Sequence, residues 1–283
     1  MDLSHEFGLA QKETMIMATS ANGYAQAVQP IAPEAIHTDT EGLIAEEVRI
    51  PTSDGEIDAY YAAPEGGQSL PTVIVIHEIF SVHEHIKDVT RRLAKRGYLA
   101  IAPDFFGRQG DVTKLADFQQ IFSEVVSKVP DAQVLSDIDA AFDWATQSGL
   151  ADPARLAVTG FCWGGRITWL YAAHTDRIQA GVAWYGKLSG QSDPLRPQSP
   201  LDVAASLKTP VLGLYGGQDT GIPQDQVAAM QDALKDAGSP SRIHVYPDAG
   251  HAFHADYRPS FKPLEAEDGF ASMIDWFRTY GVS

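Results

Sequence analysis

Apolar residues along this chain fall into two alternating rhythms, short continuous runs and stretches of helical spacing. Residues 44–50 and 56–63 flank Pro51-Thr52-Ser53-Asp54-Gly55, a turn composition that predicts a hairpin. Residues 72–76 are a continuous β-branched run, the mark of a strand buried on both faces of a parallel sheet. Ile86, Val89 and Leu93 give residues 85–96 one apolar face, and Gly97 stops that helix. Residues 98–102 predict the next strand. Leu115, Phe118, Ile121, Phe122, Val125 and Val129 predict one continuous helical face, and Leu135, Ile138 and Phe142 repeat the pattern over 133–147. Further strands are expected at 155–159, 180–184, 210–215 and 243–246. Helices are expected at 164–174, 227–237 and 265–280, the last with Phe270, Ile274 and Phe277 as its buried stripe.

Strands separated by helices imply parallel crossovers. The expected fold class is therefore α/β, a mostly parallel central sheet of about eight strands flanked by helices. Residues 1–40 have no strong period and are rich in Ala, Thr, Ser and Pro. They read as an N-terminal extension, packed on the surface or against another subunit of a homo-oligomer, with one domain over 41–283. Residues 187–206, with several Pro and Ser, read as a long loop near the functional edge.

Composition narrows the class. A chain of 283 residues with 44% hydrophobic content suffices for a sizeable core. A formal charge of −16 opposes nucleic-acid binding, which needs a basic surface against phosphates. No apolar stretch is long enough to span a bilayer, so no membrane partner is expected. Lys12 and the short run Met15-Ile16-Met17-Ala18 fall short of a signal peptide, although Ala25-Gln26-Ala27 faintly resembles a cleavage site. A cytoplasmic location is expected over periplasmic export, and it suits a free thiol.

The chemistry centres on Gly160-Phe161-Cys162-Trp163-Gly164-Gly165, directly after the apolar run Leu156-Ala157-Val158-Thr159. Gly160, Cys162 and Gly164 hold the spacing that sets a nucleophile on a strained strand-to-helix turn. Cys162 is the only cysteine, so no intrachain disulfide or Cys-rich metal site competes for it. The following helix would favour a thiolate at its N-terminus, and the Trp163 N–H would supply half of an oxyanion hole. Asp219 follows the strand run Val211–Gly216 and a Gly turn, and His251 follows the strand at 243–246. Nucleophile, acid, histidine is the chain order of α/β-hydrolases. Asp248 competes for the acid role but lies close to His251 along the loop. His254 competes for the base role, and the position of His251 nearer the strand end favours His251. Phe80, Trp163, Trp169 and Tyr185 are candidate pocket residues, with Trp169 weighed toward the core. His83-Glu84-His85 lacks the frame of a zinc helix, and neither a G-x-G-x-x-G nor a Walker pattern occurs, so neither a metal nor a cofactor is expected.

With His77-Glu78-Ile79-Phe80, Ala102-Pro103-Asp104-Phe105-Phe106-Gly107-Arg108-Gln109, Gly216-Gly217-Gln218-Asp219 and Gly250-His251-Ala252-Phe253 beside the cysteine motif, the chain resembles the dienelactone hydrolase family of α/β-hydrolases across residues 42–280. The resemblance implies the α/β-hydrolase fold for 41–283. It implies a carboxymethylenebutenolidase-type hydrolase of lactones or small esters, with a Cys162-His251-Asp219 triad and a thioester intermediate. It implies that Glu78 contacts the resting thiol and takes part in activating it, and that the Ile79 N–H is the second oxyanion donor. It implies that Arg108 binds a substrate carboxylate. The family's second carboxylate-binding Arg falls at Ala255 here, which leaves Arg258 as the candidate for that part. The expected partner is a small lactone or ester. Two alternatives stay open at this point: a broad carboxylesterase with no carboxylate preference, and a non-catalytic binding protein on the same fold.

Overall fold

A computed structural model describes residues 35–283. The extension read at 1–40 therefore lies mostly outside the described residues. Its last residues run over the body: the Ile36 N–H donates to Asp256 Oδ2 at 3.2 Å, Arg91 Nε donates to the Thr38 carbonyl at 2.7 Å, and Lys95 Nζ reaches Asp39 at 2.6 Å.

The strands are β1 (Leu43–Thr52), β2 (Gly55–Pro64), β3 (Leu70–Ile76), β4 (Leu99–Pro103), β5 (Ala151–Phe161), β6 (Ala180–Trp184), β7 (Val211–Gly216) and β8 (Arg242–Tyr246). They form one sheet of eight strands in the order β1-β2-β4-β3-β5-β6-β7-β8. Pairing is antiparallel from β1 through β2 to β4 and parallel elsewhere. The longer helices are α1 (Glu84–Ala94), α2 (Asp131–Gln147), α3 (Trp163–His174), α4 (Gln224–Asp236) and α5 (Pro263–Thr279).

The central strands are buried on both faces, which is why they read as unbroken apolar runs. Val73 and Val75 of β3 share a core with Ile86, Val89 and Leu93 of α1 and with Met273 and Phe277 of α5. Ile74 and Ile76 point the other way, into a core with Val134, Ile138 and Phe142 of α2 and Ile167 and Tyr171 of α3. Each such side chain stabilises the fold by ~1.5–3 kcal/mol relative to exposure. Trp169 is fully buried and donates its indole N–H to the Tyr215 hydroxyl at 3.0 Å, which makes it a core residue.

One expected helix is not continuous. The apolar stripe from Leu115 to Val129 is served by a 3-10 turn at Val112–Lys114, a single α-turn at Phe118–Gln120, a π-turn at Ile121–Val125 and a 3-10 turn at Val126–Lys128. Asp117 restarts the winding by accepting the Gln120 N–H at 2.9 Å. The wider turn brings Ile121, Val125 and Val126 inward together and leaves Phe118 and Phe122 exposed. The loop at 187–206 likewise contains a short helix, Pro200–Val203, capped reciprocally by Ser199 and Asp202.

Register places the parallel strand ends along one edge. Ile76 pairs with Gly160, Phe161 with Trp184, and Gly216 with Tyr246. The chain lays β4 on one side of β3 and β5 on the other, so the crevice beyond β3 and β5 is a topological switch point, where open α/β sheets put their ligands.

Candidate active site

The turn between β5 and α3 holds Cys162 at φ 53° and ψ −110°, a conformation costly for any residue with a Cβ. Its N–H donates to the Trp184 carbonyl at 3.0 Å, which ties the elbow to β6. The sharpness of the turn rests on small neighbours: a Cβ on Gly160 would stand 2.2 Å from the Gly164 carbonyl oxygen. Sγ is thereby lifted off the sheet edge. His251 Nε2 lies 3.2 Å from it, and His251 Nδ1 lies 2.7 Å from Asp219 Oδ2. The other oxygen of Asp219, Oδ1, accepts the N–H groups of Gly221 at 2.8 Å and Ile222 at 3.2 Å, so Oδ2 is left for the imidazole. Asp248 is exposed and takes no part in this chain of bonds. His254 is buried, with its ring stacked on Phe161 and tilted against Trp184.

Burial pushes the His251 pKa down, but the Asp219 carboxylate and the Cys162 sulfur outweigh it and raise it to about 10. A raised pKa stabilises the fold fully below the ordinary value of about 6.5, and that contribution is lost as pH climbs through about 10. Asp219→Asn should therefore flatten the fall of Tm between pH 7 and 10.5. Parallel Tm profiles for the variant and the parent would count against the Asp219–His251 pairing.

Two backbone donors beside the thiol are unpaired. The N–H groups of Ile79 and Trp163 donate to no protein acceptor among the described residues, and both residues line the cavity beside Cys162. His77, whose part the sequence left unassigned, is fully buried. Its Nδ1 is 2.6 Å from the Glu78 carbonyl oxygen, its Nε2 accepts the Phe105 N–H at 3.1 Å, and its ring stacks on the Trp163 indole with centroids 5.5 Å apart.

Glu78 differs from the expectation. Its carboxylate does not hydrogen-bond the thiol; Oε2 accepts the Tyr257 hydroxyl at 2.6 Å and stands 3.4 Å from His83 Nε2. The thiol's partner is His251 instead. The physical reason is burial. Desolvation pushes the Glu78 pKa up, and a carboxylate 1% exposed takes the nearest donors, so that His83, His85 and Tyr257 bring it down to about 2. His83 itself is pulled down by desolvation, against the pull of Glu78. No hydrogen bond of acceptable geometry joins them, so the 3.4 Å approach is a close contact and not a directed bond. His85 is fixed by Asp256 Oδ1 at 2.9 Å, and Asp256 in turn takes Arg92 at 2.6 Å. Sequence reasoning missed Tyr257 and Asp256. Their signal was only that they follow His251 on the same loop.

The cavity over Cys162 encloses about 520 Å³. Its lining includes apolar Ile79, Phe122, Val126, Trp163 and Ile222 and the charged residues Lys187, Arg166, Arg196 and Asp193, three cations to one anion. Tyr185 lies in its wall, edge-on to the His251 ring at 5.2 Å, with a buried hydroxyl that has no partner. Arg108 is not in this wall. Its guanidinium pairs with Asp54 and Asp137, two carboxylates that the sequence reading did not place beside it. Arg258 is also outside the lining; it lies over the rings of Phe80 and Phe118, at 6.0 and 5.7 Å. Phe80 is buried beneath it, 1% exposed, and supports the wall without forming it. No group of three or more His, Cys, Asp or Glu among the described residues is placed to hold a metal ion. None of the described helices is long and apolar enough to cross a membrane.

Comparison with known proteins places the fold in a family. A model of the "Dienelactone hydrolase family" matches residues 57–281. A protein of Methylorubrum extorquens named "Putative carboxymethylenebutenolidase" is 59% identical over 273 residues, covering 96% of this chain and 94% of its own length. A Bradyrhizobium protein named "Probable 2-oxo-3-(5-oxofuran-2-ylidene)propanoate lactonase" is 32% identical, covering 84% of this chain and 96% of its own. The crystal structure titled as a "Putative Dienelactone Hydrolase" of Klebsiella pneumoniae superposes with a TM-score of 0.82 at 53% identity, covering 84% of this chain and 99% of that one. The eight-stranded sheet is the α/β-hydrolase fold, and the chain belongs to the dienelactone hydrolase family of hydrolytic enzymes.

Proposed function

We propose that this protein hydrolyses lactones or small esters bearing a carboxylate, with Cys162 as nucleophile, His251 as proton carrier and Asp219 as the acid that orients it. The observation that carries the reading is the unbroken relay from Asp219 Oδ2 through His251 to Cys162 Sγ, at 2.7 and 3.2 Å, at the floor of a cavity of substrate size. In acylation Sγ attacks the carbonyl carbon while the proton that the pair shares rests on His251 Nε2. The Ile79 and Trp163 N–H groups receive the oxyanion. The C–O bond then breaks, the leaving oxygen takes the proton from His251, and a thioester remains. Water adds to the thioester with its proton going to His251, the C–S bond breaks, and the acid departs as the Cys162–His251 pair is restored. The Tyr185 hydroxyl, buried beside this cavity, has no protein partner among the described residues. Rapid acid quench with an activated ester, followed by mass analysis, should find one acyl group on Cys162. A binding protein on this fold leaves Cys162 unmodified.

Preference for a carboxylate rests on the cationic wall. Arg166 is held bidentate by Asp131 at 2.7 and 2.8 Å, and Arg196 by Asp193. Lys187 has no carboxylate partner among the described residues and lines the cavity. It is the cation free to meet an anionic substrate, whereas Arg108 is committed to Asp54 and Asp137. Lys187→Met should raise KM about tenfold for a carboxylate-bearing ester, the loss of about 1.4 kcal/mol from one exposed charge contact, and leave a neutral ester unchanged. Arg108→Ala should alter both esters equally. A selective loss in Arg108→Ala would return the anchor to that residue.

A further inference from the structure

We propose that His77 is the positioning residue of the oxyanion hole, setting the direction of the Ile79 N–H through the carbonyl of Glu78. The proposal rests on the cysteine-hydrolase reading above and adds to it a residue that never touches substrate. The Glu78 carbonyl and the Ile79 N–H belong to one planar peptide unit, and in a trans peptide they point in opposite directions. His77 Nδ1 holds that carbonyl at 2.6 Å, so the Ile79 N–H is directed away from the His77 ring, and Ile79 lines the cavity. Rotation of this peptide would turn the N–H away and bring a carbonyl oxygen toward the developing negative charge.

The tautomer that does this is fixed by the second bond. Phe105 N–H can only donate, so His77 Nε2, at 3.1 Å, must be the acceptor and Nδ1 must carry the proton. The ring is fully buried, with Phe105 and Phe106 around it and Asp104 Oδ1 3.9 Å from Nε2. Its flat stacking on Trp163, whose own N–H is the other proposed donor, braces the two halves of the hole against one ring. Neither nitrogen is free for proton transfer, and Sγ is served by His251, so a catalytic part for His77 is not needed to explain its burial.

Two substitutions divide its bonds. Asn places an N–H near the position of Nδ1, and Gln places an acceptor near the position of Nε2. His77→Gln, which loses the bond to Glu78, should lower kcat for p-nitrophenyl acetate by ~10²–10³-fold with KM little changed, the size of one lost oxyanion donor. His77→Asn should retain kcat within about tenfold of wild type. Alkylation of Cys162 by iodoacetamide forms no oxyanion, so its rate should be the same in both variants as in wild type. Wild-type turnover in His77→Gln, equal loss in the two variants, or parallel loss of alkylation and hydrolysis would each overturn the proposal. If His77→Gln does not fold, ¹⁵N-histidine spectra of the wild-type protein decide the matter: Nδ1 should be protonated and Nε2 bare, and the opposite tautomer overturns it. Failure of the hydrolase reading shows separately, as turnover that survives loss of Cys162.

Discussion

Cys162→Ala will lose nearly all turnover of activated esters while melting within a few degrees of wild type. The two halves of that result have different causes. Loss of Sγ removes the atom that forms the covalent bond, and His251 is left with no group to activate at 3.2 Å. Removing one member of such a relay costs about as much as removing all of it, so the fall in kcat is expected at ~10⁴-fold or more. The fold is spared because alanine keeps the Cβ that cysteine already carries at φ 53°, so the backbone strain of the elbow is unchanged. The sulfur is only partly buried at the edge of the core that contains Phe161 and Trp184, so little packing is lost with it. Turnover measured with p-nitrophenyl acetate beside a melting curve checks both halves. A variant that keeps a tenth of the parental rate would remove Cys162 from the mechanism.

The parts of the site legible in the sequence are those that backbone geometry dictates. A strand that must turn into a helix around a nucleophile needs Gly160 and Gly164, and parallel strand ends must share an edge, so Cys162, Asp219 and His251 could be placed there from spacing alone. What could not be read was the choice among polar partners that meet only in three dimensions. Arg108 follows a strand end as a substrate anchor would, but Asp137 of α2 and Asp54 of the β1–β2 turn reach it first. Glu78 sits next to the elbow in the fold, yet Tyr257, 179 positions away, takes its carboxylate. The cationic wall comes from Lys187 and Arg196, on a loop with no periodicity to interpret, and from Arg166 inside α3. The stripe from Leu115 to Val129 misled for a related reason. Apolar spacing reports which residues are wanted inside and not which winding brings them there, and here a π-turn does so.

Gly164→Ala should be among the most damaging changes of a single methyl group among the described residues. A Cβ at this position would stand 2.2 Å from the Ile76 carbonyl oxygen and 2.7 Å from that of His77. Both contacts are backbone atoms, at the end of a β3 strand paired with β4 and β5, so no side chain can swing aside to relieve them. The first turn of α3 must retreat from β3 or the end of β3 must deform. Overpacking of this kind costs about 3 kcal/mol or more, which is ~6–12 °C in Tm for a domain of this size. The same displacement separates Cys162 and the Trp163 N–H on one side from Glu78 and the Ile79 N–H on the other, so the two proposed oxyanion donors no longer converge. Activity should therefore fall further than the folded fraction does. Gly107→Ala is the matched control. Its Cβ would meet only Asp104 Oδ2, at an ordinary 3.8 Å, and it should melt and turn over like wild type. If Gly164→Ala also melts within 2 °C of wild type, itself a shift of about 1 kcal/mol or less, β3 and α3 are not in the close contact on which the geometry of the thiol and both N–H donors depends.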